Sequence, residues 1–206
     1  RAGVLWALGL LQDQGLVRLG LDPAVEIATV HDAYVADPDG GAVLPSYHLG
    51  EAGILLLSWR MTGSAAAADR LHAVVAANLA HPSNEALWGT PGTQLAAWHL
   101  WAATGQARWR ELFQRCTDVV WSRWTFDAAA GCHLWTQDLG DHKPVQYLGA
   151  GHGFAGNVHP LLKGAALLDD ERRRTLVERC RTMLKAFATT VDDAVNWRSG
   201  TFTPRQ

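Results

Sequence analysis

Residues 89–105 read GTPGTQLAAWHLWAATG, a glycine-framed turn followed by an uncharged, largely apolar run. On length alone, the uncharged stretch from Ala86 to Ala107 could span a bilayer. Gly89, Pro91, Gly92, Thr93, Gln94 and His99 within it suit a buried helix of a soluble domain instead. Gly105 falls where a helix C′ residue is expected. The same pattern, a G-x-[AP]-G-like turn and then about a dozen apolar positions, recurs along the chain. Gly50-Glu51-Ala52-Gly53 precedes ILLLSWRMTG, and Gly153-Phe154-Ala155-Gly156 precedes NVHPLLKGAALL. Arg1-Ala2-Gly3 precedes VLWALGLLQDQG as a first copy without its leading glycine.

Working outward, three of these runs are followed by an amphipathic stretch with a period of 3.6 residues. Residues 64–80 place Leu71, Val74, Val75 and Leu79 on one face. Residues 106–124 do the same with Trp109, Leu112, Phe113, Cys116 and Val120. Residues 169–190 set Leu176, Val177, Cys180, Leu184 and Phe187 against an Arg-rich face. Asp169, Asp170 and Glu171 supply first-turn acids, and Asp22-Pro23 opens a weaker partner through about Tyr34. The expected unit is an inner apolar helix paired with an outer amphipathic one. Stacked units of this kind form an all-α fold, an α/α toroid, and four are too few to close the ring. The turn glycines predict backbone packed on backbone where helix N-termini crowd a common axis. Free N–H groups there would face a central cleft.

Composition narrows the function. The 206 residues are 48% hydrophobic and 18% charged, which suits a globular domain. A net charge of −2 with both signs scattered excludes a nucleic-acid or anionic-membrane partner held by bulk electrostatics. No export signal is read at the N-terminus. Cys116, Cys132 and Cys180 form no disulfide framework, and a reducing cytoplasm is expected. The abrupt ends, Arg1 and Pro204-Arg205-Gln206, predict a single domain over 1–206 that continues at both ends.

Gly151-x-Gly153-x-x-Gly156 imitates a dinucleotide fingerprint, but helices surround it and its glycines belong to the repeat. New in this copy is His152, just before the turn. It reads either as a general acid or base facing the cleft or as a loop histidine bonded to a carbonyl. Glu85, four residues before Gly89, reads either as a carboxylate that orients an imidazole or as a capping or surface acid. Glu51 is expected to bond free helix N–H groups. Cys132-His133, His142 and His159 have no metal-ligand spacing, and no G-x-S-x-G is present. Cys116 and Cys180 read as core. Among the ten Trp, Trp109 and Trp121 are expected in packing and Trp6, Trp59, Trp98 and Trp101 mostly in the core. Trp88 and Trp135 lie near cleft loops, available for stacking.

Three segments, LGEAGILLLSWRM (49–61), NEALWGTPGTQLAAW (84–98) and YLGAGHGFAGNV (147–158), together with LWTQD (134–138), resemble the lanthionine synthetase C-like family, stand-alone bacterial type. The resemblance covers nearly the whole chain. It implies a toroid of seven inner and seven outer helices and a zinc enzyme that adds a Cys thiol to a dehydroamino acid. It implies as substrate a peptide bearing dehydroamino acids, or a small thiol such as glutathione. His152 matches the family's acid/base histidine, with Gly151 where many members have Ala, and Glu85 matches an acidic position before the third turn. The family's zinc ligands have no counterpart in residues 1–206. Asn196-Trp197 resembles the segment just before the first of them, so this chain alone is expected to be inactive. Two other readings stand beside the enzyme. One is a non-catalytic scaffold binding peptide or thiol. The other is a carbohydrate-active toroid, which needs Glu85 opposed by Glu51 or Asp138.

Overall fold

The structure, a computed structural model, describes residues 1–137 and 144–201. Eight α-helices lie among the described residues: α1 (Ala2–Asp13), α2 (Pro23–Ala36), α3 (Glu51–Thr62), α4 (Ala65–Asn78), α5 (Thr90–Thr104), α6 (Ala107–Ser122), α7 (Phe154–Lys163) and α8 (Asp170–Phe187). The chain is mostly helical, and the paired runs read from the sequence are these helices in order. Their ends follow local chemistry. Asp22, Ser64 and Asp169 cap α2, α4 and α8, accepting from Ala24, Ala67 and Arg172 N–H at 2.8, 3.2 and 2.7 Å. Gly63 and Gly105 end α3 and α5 in the left-handed region, at φ 68° and 66°.

Helices α1, α3, α5 and α7 form one row with α2, α4 and α6 against it, while α8 packs chiefly on the strand Cys132–Leu134. α3 packs on α1, α2, α4 and α5, and α5 packs on α4, α6 and α7. The main core runs through this seam, with Leu71, Leu100, Trp109, Leu112, Phe113 and Leu161 all but inaccessible. Each such side chain contributes about 1.5–3 kcal/mol relative to exposure. A smaller cluster of Leu5, Ile27, Ile54 and Leu57 joins α1, α2 and α3. Buried polar contacts also cross the seam, among them Gln94 Nε2 on α5 donating to Thr117 Oγ1 on α6 at 2.8 Å.

Three features differ from the sequence reading. Two antiparallel hairpins interrupt the helices: β1 (Thr125–Asp127) with β2 (Cys132–Leu134), and β3 (Ala188–Val191) with β4 (Ala194–Trp197). The expected last outer helix therefore stops at Phe187, where β-prone Thr189, Thr190 and Val191 take over. Second, α8 buries Leu176 and Met183 but leaves Val177 and Leu184 exposed. Third, the turn glycines do not serve contact between helix N-termini. A Cβ at Gly50, Gly53, Gly89, Gly92, Gly153 or Gly156 would fall 2.0–2.3 Å from a carbonyl oxygen six residues earlier, in the preceding loop. Each loop folds back onto the start of its own helix. Leu44 carbonyl takes the N–H of Glu51, and the carbonyls of Tyr147, Leu148 and Gly149 take the first three N–H groups of α7. Those groups are satisfied by the loop rather than offered to a cleft.

Candidate functional site

The loop between α4 and α5 carries Glu85 and is held on several sides. Asn78, buried near the end of α4, donates to Trp88 carbonyl and to Thr93 Oγ1, each at 3.2 Å. Asn84 is gripped through its backbone: its N–H donates to Gln137 Oε1 at 3.1 Å, and its carbonyl accepts from Asn157 Nδ2 at 2.6 Å and from Gln137 Nε2. Arg123 Nη1 donates to His81 carbonyl at 2.8 Å and Asn84 Oδ1 at 3.3 Å. Ser46, in the corresponding loop before α3, donates from Oγ to Leu87 carbonyl. Residues from α7, the C-cap of α6 and two loops thus fix where the next side chain, Glu85, sits.

The Glu85 carboxylate is wholly buried. An unpaired buried charge is prohibitive, but this one is fully engaged. Oε1 accepts from Trp88 N–H at 2.7 Å and Ser83 Oγ at 3.2 Å, and Oε2 accepts from Leu87 N–H at 3.1 Å. The remaining contact is Nδ1 of His152, 2.9 Å from Oε2. Both readings of Glu85 therefore hold at once: it caps its own loop and it holds an imidazole. It is not a surface acid. His152 enters from the glycine turn before α7, with its side chain 42% exposed and its ring 5.9 Å from that of Tyr147. Its partner is a carboxylate sixty-seven residues away rather than a loop carbonyl. A buried anion on Nδ1 keeps the proton there, so Nε2 carries the lone pair of the neutral ring. The result is an oriented imidazole, open on one side and backed by a fixed negative charge.

Other titratable groups surround the pair. Burial pushes the His48 pKa below the ordinary imidazole range; the nearby Glu85 charge opposes this and His159 adds to it. Burial likewise lowers His81, again with Glu85 opposing. Next to this region is a cleft of about 890 Å³ between α1, α3 and α5, lined by Trp6, Trp59 and Trp98 with His48, Arg60 and His99. These three indoles were expected mostly in the core; they are half-buried and form the cleft wall. Trp135 makes the opposite move. It is 2% exposed, stacks on Trp124 with ring centroids 4.3 Å apart and donates to Val120 carbonyl at 2.8 Å. Trp109 is buried, as expected of packing.

Glu51 does not cap its helix. Its carboxylate turns toward the outer layer, accepting from Arg70 Nε and Nη2 at 2.9 and 2.8 Å and lying 3.2 Å from His31 Nε2. Burial acts to raise its pKa, but the hydrogen bonds from Arg70 and His31 prevail and hold it low. Asp138 and His142 lie outside the described residues. Cys116 and Cys132 are buried, and Cys180 is half-buried against the core. Among the described residues no three His, Cys, Asp or Glu side chains come together to hold a metal ion. The residues described do not fit a zinc centre. No helix among them is long and apolar enough to cross a membrane.

The residues not singled out from the sequence are those that seat Glu85: Asn84, Arg123, Gln137 and Asn157. Three of them lie inside the stretches that carry the resemblance, but nothing local marks an amide whose role is to hold a backbone from seventy residues away. No family model matches the chain, and no match is found among curated proteins.

Proposed function

We propose that the chain is part of a lanthionine synthetase C-like α/α toroid, in which His152 moves the proton when a Cys thiol adds to a dehydroamino acid of a peptide. The observation that carries the reading is the Nδ1–Oε2 contact of 2.9 Å between half-exposed His152 and buried Glu85. The mostly helical chain and its packed helix pairs support this reading, which requires further inner–outer pairs to complete a ring.

In such an addition sulfur bonds to Cβ of the dehydroamino acid and a proton goes to Cα, so no electrons are lost or gained overall. The step needs a group that accepts the thiol proton and returns one to carbon. Neutral His152 offers Nε2 as acceptor; once protonated, the ring is stabilised by Glu85 and donates from the same atom. Glu85 cannot swing away, because two backbone N–H groups and the Ser83 hydroxyl hold it. The residues present do not fit zinc, so any thiol activation by metal would come from elsewhere than the described residues. The carbohydrate reading needs a carboxylate facing Glu85; Glu51 is committed to Arg70 and His31, and Asp138 lies outside the described residues.

The test is thiol addition to a dehydroalanine peptide by the natural full-length protein. His152→Ala is expected to lower the rate by about 100-fold or more, on the scale of general acid–base catalysis. Glu85→Gln, which can donate to Nδ1 and so reverse the tautomer, is expected to cost about 10²–10⁴-fold. An unchanged rate in His152→Ala removes the chemistry. If the parent adds no thiol yet binds the peptide, the non-catalytic scaffold reading replaces it.

A further inference from the structure

The cleft beside the His152–Glu85 pair has a charge pattern that the chemistry above does not use. Arg60, in the last turn of α3, lies with its guanidinium 4.0 Å from the centroid of the Trp6 ring. Lys163, at the end of α7, holds its ammonium 5.3 Å from the centroid of Trp98. Trp6 and Trp98 both line the cleft. Both cations are exposed, and among the described residues neither forms an ion pair with a carboxylate. Among the described residues no Asp or Glu lines the cleft. The arrangement differs from Arg70, Arg108, Arg172 and Arg173, each of which does face an acid.

The histidines of the wall report the same field. Burial first, and then the charges of Arg60, Lys163 and His159, hold His99 below its ordinary range. Arg60 and Lys163 come from α3 and α7, the two helices that pack on either side of α5, so fixed positive charge collects around the cleft although the chain as a whole is slightly acidic. Cations over indole rings that wall a cleft present both halves of what an acidic chain offers: charge for its carboxylates and apolar rings for its aliphatic side chains. A cleft of about 890 Å³ is toward the upper end of ordinary ligand-site volumes.

From this juxtaposition we infer that the cleft binds an acidic peptide segment, with carboxylates at Arg60 and Lys163 and apolar side chains against Trp6, Trp59 and Trp98. The inference rests on the reading that the substrate is a peptide, and it specifies where in that peptide negative charge lies: in the part that reaches past His152 toward the C-terminal ends of α3 and α7. Last-turn cations also offset a helix dipole, but that role requires neither indole stacking nor a cleft free of acids.

The experiment measures binding alone. A fluorescein-labelled octapeptide alternating Asp and Glu with Leu is titrated with the full protein and followed by anisotropy, beside a peptide with Asn and Gln in place of the acids. The acidic peptide is expected to bind more tightly and to lose affinity as salt rises, while the amide peptide is insensitive to salt. Arg60→Gln with Lys163→Gln is expected to weaken the acidic peptide about tenfold, and Arg60→Lys to retain its affinity. Equal affinity for the two peptides, or no salt dependence in the unmodified protein, overturns the proposal whether or not the double variant folds. So does displacement by inorganic sulfate as effective as that by unlabelled peptide, which would mark an anion site without peptide contacts. Because no turnover is read, a failure here leaves the His152 chemistry standing, and an inactive His152→Ala says nothing against the cleft.

Discussion

At the scale of single residues, Glu85 shows how a carboxylate can be fixed without an Arg or Lys partner. Its oxygens are taken by two main-chain N–H groups, one hydroxyl and one imidazole. Removing it by Glu85→Ala would leave those donors unpaired in the interior, at roughly 1–3 kcal/mol for each group that water cannot reach. Glu85→Gln keeps most of the contacts, so a thermal melt should separate the two variants, with the alanine form melting lower. Equal melting temperatures would mean that water satisfies the loop. The cysteines give a second residue-level expectation. Burial pushes the Cys116 thiol up to about 12 and the Cys180 thiol up to about 11, so neither holds appreciable thiolate at neutral pH. Reaction of the native protein with a disulfide reagent should be slow and should accelerate sharply on unfolding; a fast native thiol would contradict this placement. How legible these sites were depends on range. His152 stands out because glycines flank it, whereas the partnership with Glu85 spans sixty-seven residues. The place of Glu85 before its turn suggested a carboxylate that orients an imidazole, but no spacing rule could show that the two touch.

At the scale of elements, the glycine turns carry the most specific expectation. Gly92 and Gly156 would place a Cβ 2.1 and 2.0 Å from a loop carbonyl, whereas Gly3, the same position in the first copy, has nothing within 4 Å. Gly92→Ala and Gly156→Ala should each destabilise by about 1–3 kcal/mol or more, as overpacked sites do. Gly3→Ala should be neutral or stabilising by about 0.5–1 kcal/mol, as expected for alanine over glycine inside a helix. Chemical denaturation of the three variants reads this directly, and equal effects would disprove the loop-on-helix account. The inner–outer alternation was readable because apolar fullness and 3.6-residue periodicity are local properties. The hairpins were not: β1 and β2 are three residues each and β3 and β4 four, too short to show alternation. The glycines were correctly singled out but wrongly explained, since the clash they avoid lies within the loop before each helix.

At the scale of the whole molecule, the titrating groups combine. Burial lowers the pKa values of His48, His72, His81, His99 and His133 below the 6.5 of a free imidazole. The unfolded chain therefore binds more protons than the folded one as pH falls through 6.5, and stability drops in that window. Glu51 and Asp127, held below 4.5 and 3.8, keep their contribution until the solution is far more acidic. The melting temperature should fall steadily from about pH 7.5 to 5.5. A flat or rising curve would contradict the burial of these rings.

The central claim is that a buried carboxylate fixes the tautomer of a half-exposed histidine. It is tested most directly by a long-range ¹H–¹⁵N spectrum of the protein with ¹⁵N-labelled histidine, assigned through His152→Gln, at a pH where the ring is neutral. The account predicts a protonated Nδ1 and an unprotonated Nε2, a pattern lost in Glu85→Gln. A neutral ring protonated on Nε2, or a mixture of tautomers indifferent to Glu85→Gln, would contradict it.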